Sequence, residues 1–413
     1  MVKNIIKISF RNLLRSGRRT ILTASLITIG VMFVLVYSAL SGSFKSYMVG
    51  QVTDSMLGHI QIHKKGYIAS VDNLPLDKNI NKKQLDKITE ILDKNQFIES
   101  YTFRLKLGSM FSNYISSTNI RLNGIDPLKE AKTLPLFESR IDEIKASELK
   151  EGSIIVPELL AKGMGVKKGD SIVLVATNKK GSVNGLNFKV EGSIEPISGP
   201  GGRDGYIHIN DVKKLLRFKE IEVSEVVIRL KDVKHLKTVM RMLKPLSNMK
   251  NQKDKPVFEV HTWEKLSPFY NIVKMLDIMD ISIKIILISI VLISVLNVMV
   301  MNVFERIKEI GTIAAMGTTP STITKLFLTE GLMLGTFGAI VGSFLSYIII
   351  LIINGIGISF SFGRQSDLTL NPVLHINEIL IVGVIVIIIS LIASISPAIK
   401  AANLNPVDAL RQN

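Results

Sequence analysis

Few residues in this chain are placed to do chemistry. His59 and His63 in GHIQIHKKGY could offer two imidazoles to a metal. With six His, no Cys and no third ligand at a recognisable spacing, the stretch reads better as a half-buried strand. Ile60 and Ile62 would then face inward, with His59, Gln61 and His63 on the solvent side. Asp277 and Asp280 could share proton work, but three apart on a helix outside a bilayer they read as solvated surface. There is no G-x-x-x-x-G-K-[ST] loop, nucleophile elbow or zinc-protease helix. The chain is therefore expected to catalyse nothing alone and to bind no metal or nucleotide.

The remaining polar candidates sit in or beside apolar runs. Uncharged stretches cover Thr20–Phe44, Ile285–Phe304, Gly331–Gly363 and Ile379–Ile399, of 25, 20, 33 and 21 residues. About 20 apolar residues in a helix cross a bilayer core, so four spans are expected. The first run exceeds a signal-peptide core and ends in no clear cleavage site, so it reads as a retained helix. Asn297 lies inside the second span and is expected to bond a neighbouring helix; Glu330 stands at the edge of the third. Gly331, Gly335, Gly338 and Gly342 form two small-x-x-x-small pairs that let another backbone approach. Whether that backbone belongs to this chain or to another subunit is open at this stage.

The 413 residues are 47% hydrophobic with mean hydropathy +0.32, too apolar for a soluble protein and too polar for an all-membrane one. Residues 1–19 carry Lys3, Lys7, Arg11, Arg15, Arg18 and Arg19 and no acid, which holds that end in the cytoplasm. The four-residue steps, with Ile6, Phe10, Leu13 and Leu14 on another face, predict a basic amphipathic helix on the membrane surface. The expected order is that helix (1–19), span 1 (20–44), an extracytoplasmic domain (45–274), a stalk and span 2 (275–304), and a cytoplasmic segment (305–330). Span 3 (331–356), an outer loop (357–378), span 4 (379–399) and a cytoplasmic tail (400–413) follow. No internal repeat supports an inverted-repeat transporter.

The long outer segment holds 38 Lys and Arg against 27 Asp and Glu, so it contributes +11 of the overall +16. Its charges are interleaved and lack an aromatic series, so no nucleic-acid partner is expected. Strands are expected at Ile154–Val156, Ser171–Ala176, Phe188–Gly192, Tyr206–Ile209 and Val226–Leu230. Helices are expected at Lys82–Asn95, Pro157–Lys162 and Asp232–Leu243, and a Gly/Pro loop at Pro196–Gly205. The fold class is thus an α-helical membrane protein with four transmembrane helices and a large α/β domain between the first and second. An amphipathic helix from His261 is expected to lead into span 2.

The cytoplasmic segment ERIKEIGTIAAMGTTPSTITKLFLTEG has its own punctuation. Glu305, Arg306, Lys308 and Glu309 would continue span 2 as a charged helix. Gly317 suits the position just past a helix end, and Thr319 can cap a new helix beginning at Pro320. A short transverse helix over Pro320–Leu328 would present Ile323 and Phe327 to headgroups or to a cytoplasmic protein.

The pattern E-R-x-K-E-I-G-x-x-x-A-x-G-x-x-P-x-x-I-x-x-x-F-L-x-E-G resembles the signature of FtsX-like ABC permeases, which include macrolide exporters and lipoprotein-releasing permeases. NLLRSGRRTILTASLITIGV and the terminal SPAIKAANLNPVDALRQ are also similar to that group. EGSIIVPELLAKGMGVKKGDSIVLV resembles its MacB-like periplasmic core domain. The resemblance implies a dimerising inner-membrane permease, paired with a second copy or a similar chain. It would sit on a cytoplasmic ABC ATPase dimer that holds the ATP and Mg. The coupling positions it implies are Glu305, Arg306, Glu309, Gly317, Thr319, Pro320, Ile323, Phe327 and Glu330. ATP-driven closure would be passed to the exported domain by mechanotransmission. Length and the lack of a fused ATPase look most like the lipoprotein-releasing (LolC/LolE-type) branch. There, cargo leaves the outer leaflet between the first and second spans. Macrolide or peptide efflux, and a signalling scaffold controlling an envelope hydrolase, are the alternatives. TNKKGSVNGLNFKV is short where carrier-docking members can have a longer loop, so a periplasmic carrier or an adaptor stays an open partner.

Overall fold

The computed structural model describes residues 2–15, 17–195, 204–250, 252, 254–362 and 365–405. Of the loop expected at Pro196–Gly205, residues 196–203 lie outside them and Asp204 and Gly205 begin a strand instead; the end of the tail, 406–413, also lies outside. The chain divides into two compact units, Met1–Ser46 with Ile272–Asn413, and Tyr47–Asn271.

The first unit is helical. Its elements are α1 (Val2–Arg15), α2 (Gly17–Val52), α3 (Tyr270–Glu305), α4 (Ile307–Ala315), α5 (Pro320–Ile356) and α6 (Ile376–Ala402). Among the described residues four helices are long and apolar enough to cross a membrane: α2 with the turn after it, α3, α5 and α6. Between α5 and α6 lies a small antiparallel pair, Ser359–Phe362 with Gln365–Thr369. Ile27, Val31 and Leu35 of α2 share a core with Val291, Val295 and Met299 of α3, Leu334 of α5 and Val386 of α6. The opposite faces stay apolar and exposed, as a lipid-facing surface requires.

The glycines of α5 are used inside this unit. A Cβ at Gly331 would collide with Ser394 Oγ, and one at Gly335 would stand 2.6 Å from Ser390 Oγ, both on α6. A Cβ at Gly338 would collide with Ile27 Cγ2, and one at Gly342 would meet the Thr28 carbonyl at 2.8 Å, both on α2. The upper pair therefore seats α6 and the lower pair seats α2, which answers the question left open by the sequence. Without the hydrophobic effect to drive helices together in lipid, this backbone approach is a main source of their packing.

The second unit is a mixed α/β domain of strands β1 (Ile60–Lys64), β2 (Ile98–Ser112), β3 (Ser117–Ile125), β4 (Ile141–Asp142), β5 (Ser153–Pro157), β6 (Ser171–Thr177), β7 (Val183–Ile194), β8 (Asp204–His208), β9 (Glu225–Leu230) and β10 (Phe258–Thr262). Pairings β2–β3–β8–β5–β7–β6–β2 close a six-stranded ring, while β10–β1–β9–β2 form an antiparallel sheet. Strand β2 belongs to both: residues 98–104 pair with β9, and 105–112 with β3. Leu107, Phe111, Leu122, Ile172, Leu174 and Phe188 fill the ring.

Two expectations fail here. His59, Gln61 and His63 are buried rather than solvent-facing. Strand β1 lies between β9 and β10, so its second face is covered as well. His63 stacks on Tyr67 at 5.3 Å and sits 3.7 Å from Glu225. Among the described residues no group of three or more His, Asp or Glu could hold a metal. The helix expected from His261 is the end of β10, a short turn Trp263–Leu266, and then α3 from Tyr270. Pro268 lies in that gap, where it cannot supply a helical N–H.

At Arg104, where β2 passes from sheet to ring, a buried ion cluster forms. Its guanidinium meets Glu130 at 2.5 Å and Glu225 at 3.1 Å, and donates to the Met56 carbonyl at 2.7 Å. Burial opposes its charge, but the two carboxylates hold its pKa above the ordinary arginine value. Burial likewise raises Glu225, yet Lys106, His63 and Arg104 bring it well below the usual carboxylate range. Arg140 donates to the Ser55 carbonyl and Arg229 pairs with Asp54, so three arginines grip the turn Thr53–Leu57 that follows α2.

Gly342→Leu is expected to destabilise the full chain in detergent by about 1–3 kcal/mol through overpacking, read as a lower thermal midpoint. Gly383→Leu, where a Cβ meets nothing within 4 Å, should leave it near wild type. Equal midpoints for the two variants would refute the packing assigned to α5.

Candidate functional site

The charged segment after span 2 does not form one continued helix. Helix α3 stops at Glu305; Arg306 leaves helical geometry at φ −107°, ψ 15°, and α4 restarts at Ile307. Helix α4 then ends in a Schellman turn: Thr318 N–H donates to Ile313 O at 3.3 Å and Gly317 N–H to Ala314 O at 3.0 Å. Gly317 has φ +89°, the left-handed region that a side chain disfavours. Thr319 is extended at the N-cap and Pro320 opens the next helix. The Thr319 hydroxyl lies 3.0 Å from the Thr322 hydroxyl, and its side chain caps no backbone N–H.

The short transverse helix over Pro320–Leu328 is absent. These residues are the first turns of α5, unbroken from Pro320 to Ile356. No Gly or Pro interrupts Ser321–Glu330, so nothing ends the helix before the span. The short element is instead α4. Ile323 and Phe327, expected to face headgroups or a cytoplasmic protein, are buried in the core of their own unit.

Behind this turn lies a polar latch. Glu330 is 1% exposed, and its Oε1 accepts from Arg306 Nη1 at 2.9 Å and from Asn12 Nδ2 at 2.8 Å. Arg306 also donates to Glu309 at 3.1 Å and lies over the Phe327 ring at 5.8 Å. Glu309 reaches on to Arg15 of α1 at 2.7 Å. Ser9 of α1 donates to the Leu326 carbonyl at 3.2 Å. One carboxylate thus ties the N-terminal helix, the end of α3 and the start of α5. A cavity of about 260 Å³, lined by Asn12, Arg15, Asn302, Glu305, Arg306 and Glu330 among others, opens beside it.

Among the residues singled out in the sequence, Arg306, Glu309 and Glu330 come together in the latch. Gly317, Thr319 and Pro320 shape the exposed turn, and Glu305 ends α3 on its exposed side. Met316, Ser321 and Lys325 are exposed there too. Sequence reasoning missed Ser9, Asn12 and Arg15. The signal was present: Ser9, Asn12 and Leu13 share the i, i+3, i+4 face between the basic steps. Asn297, expected to bond a neighbouring helix, is exposed and makes no hydrogen bond among the described residues.

Two family models match this chain. The family described as FtsX-like permease C-terminal matches residues 281–406, and the MacB-like periplasmic core domain matches residues 20–246. The chain is 21% identical to the "Lipoprotein-releasing system transmembrane protein LolC" of Haemophilus influenzae, over 96% of this chain and 94% of that one. It is 22% identical to the "Probable export ATP-binding/permease protein MacB" of Pseudomonas entomophila, over all of this chain and 59% of that one. A crystal structure of the periplasmic region of MacB from Actinobacillus actinomycetemcomitans covers 53% of this chain and 93% of its own length, at 13% identity and TM-score 0.36.

Removing one partner of a buried pair strands the other charge. Arg306→Met is expected to cost about 3–5 kcal/mol of stability. Adding Glu330→Gln should restore most of that loss, measured by thermal unfolding of the full chain. Additive losses in the double variant would show that the two groups do not depend on each other.

Proposed function

The chain belongs to the FtsX/MacB family of ABC transporter permeases, and from that premise we propose that it releases lipoproteins or other lipid-linked cargo from the outer leaflet of the cytoplasmic membrane. A separate cytoplasmic ATPase dimer, which holds the ATP and Mg, drives it. The observation that carries this reading is the elbow: an exposed Met316–Ser321 turn backed by a buried ionic latch.

A docking partner would meet the exposed surface of Met316, Gly317, Thr319, Pro320, Ser321 and Lys325. The Schellman turn and the Pro320 start leave that surface little freedom to yield locally. A push there passes through Arg306 and Glu330 to α3 and α5 together, and through Asn12 and Arg15 to α1. Ile323, Phe327 and Glu330 act in coupling from inside, as the parts that keep the elbow stiff. The three-arginine grip on Thr53–Leu57 gives the exported domain a firm hold on the chain leaving span 1.

The choice of lipid-linked cargo rests on relatives. The match to a protein named as lipoprotein-releasing runs nearly end to end in both chains. The one named as an export ATP-binding/permease protein is spanned over 59% of its length. Macrolide or peptide efflux is the second reading, favoured by that same relative's name.

Reconstitution with the ATPase encoded beside this chain is expected to give ATP-dependent release of a fluorescent lipoprotein. ATP hydrolysis stimulated only by drug or peptide would overturn the cargo assignment. An ATP-dependent shape change without cargo would instead support a signalling scaffold. Gly317→Leu or Pro320→Asp should insert normally yet lose roughly tenfold or more of the ATP-driven activity. Full activity in both would refute the elbow as the coupling point.

A further inference from the structure

We propose that Asn297 sets the register of a contact between two copies of this chain, made along the outward face of α3. The inference rests on the permease reading above and adds the surface through which the second copy is held. Three observations converge on it.

First, the glycine pairs that could have received another subunit already receive α6 and α2 of the same chain. Of the four candidate spans, helix α3 has the smallest share of its apolar stretch buried. It has the most surface left to offer.

Second, that surface has a pattern. Leu287, Val291, Val295, Met299 and Val303 face the unit's own core. On the far side Ile286, Ile290, Ile293, Asn297, Val300 and Phe304 follow each other at steps of four, three, four, three and four. Ile286, Ile290, Ile293 and Phe304 are 48–66% exposed. This is a heptad seam with Ile290, Asn297 and Phe304 at a positions. Two copies inserted the same way and related by an axis along the membrane normal would meet as parallel helices at that seam.

Third, Asn297 is a polar group with no partner at a depth where lipid provides none. It lies two to three residues from the middle of the uncharged run Ile285–Phe304, on the order of 4 Å along the helix. Ser289 and Thr336 in the spans satisfy their hydroxyls on their own helices, donating to the carbonyls of Ile285 and Leu332. The Asn297 carboxamide does not. An amide carries both donor and acceptor, so its own symmetry copy is a complete partner. A slip of the two helices along the seam would return each amide to hydrocarbon. A single Asn at an a position fixes register and pairing in this way.

The chain contains no cysteine, so single-cysteine variants of the full-length protein can be oxidised directly in the membrane. Ile290→Cys, Ile293→Cys and Phe304→Cys are expected to form disulfide-linked homodimers. Val291→Cys and Val295→Cys, on the core face, should form roughly tenfold fewer. Asn297→Leu added to Ile293→Cys should lower the matched cross-link. It should also raise cross-links between Ile293→Cys in one tagged copy and Ile290→Cys in another, as register is lost. Three results would overturn the proposal: no homodimer at any α3 position, equal yields on both faces, or cross-linking only to a different chain. ATP-driven release without these cross-links would sink the contact and leave the transport reading standing.

Discussion

A carboxylate buried at the edge of a membrane helix constrains everything around it. Glu330 sits in the third span with almost no access to water, so its charge must be met from within the protein. Arg306 and Asn12 supply that, from two other parts of the chain. For Arg306 to reach across, α3 must end one residue earlier and α4 must restart one residue later. For Asn12 to reach, α1 must lie against the first turns of α5. The break in the charged segment and the docking of the N-terminal helix both serve to neutralise one group.

Helix α5 is the hub of the helical unit for a second reason. Its first third carries the latch, and the next turns carry Gly331 and Gly335 against the serines of α6. Gly338 and Gly342 then face α2. Ser394 donates to the Ser390 carbonyl, so a small residue removes its own polar group from lipid while making room for its neighbour. Helix α3 is held chiefly by Leu287, Val291, Val295 and Met299, and keeps its opposite face outward.

The α/β domain follows the same economy of buried charge. Strand β2 serves two sheets, and Arg104 stands at the residue where it changes partners. The guanidinium is satisfied by two carboxylates and by a carbonyl of the turn that follows α2. A neutral residue there would leave Glu130 with the Thr102 hydroxyl and Glu225 with Lys106 and His63, two buried carboxylates stripped of the cation they share.

The sequence by itself determined the four spans, the α/β domain between the first two, and the helix end and restart around Gly317 and Pro320. Those features rest on local rules: an uncharged run of span length, a cap at Gly317, a proline at the first helical position. It also carried enough family-specific pattern to point to an ABC permease. Tertiary structure decided which groups meet. Alternation in GHIQIHKKGY is the same whether one or both faces are covered, so the burial of His59 and His63 depended on strands β9 and β10. The glycine spacing of α5 shows that a backbone can come close, but not whose. Ile323 and Phe327 make an apolar stripe that could face a partner or a core; continuity of α5 past Leu328 turned it inward. The pairing of Asn12 with Glu330 spans more than 300 residues, and no local spacing encodes a contact made only when distant helices pack.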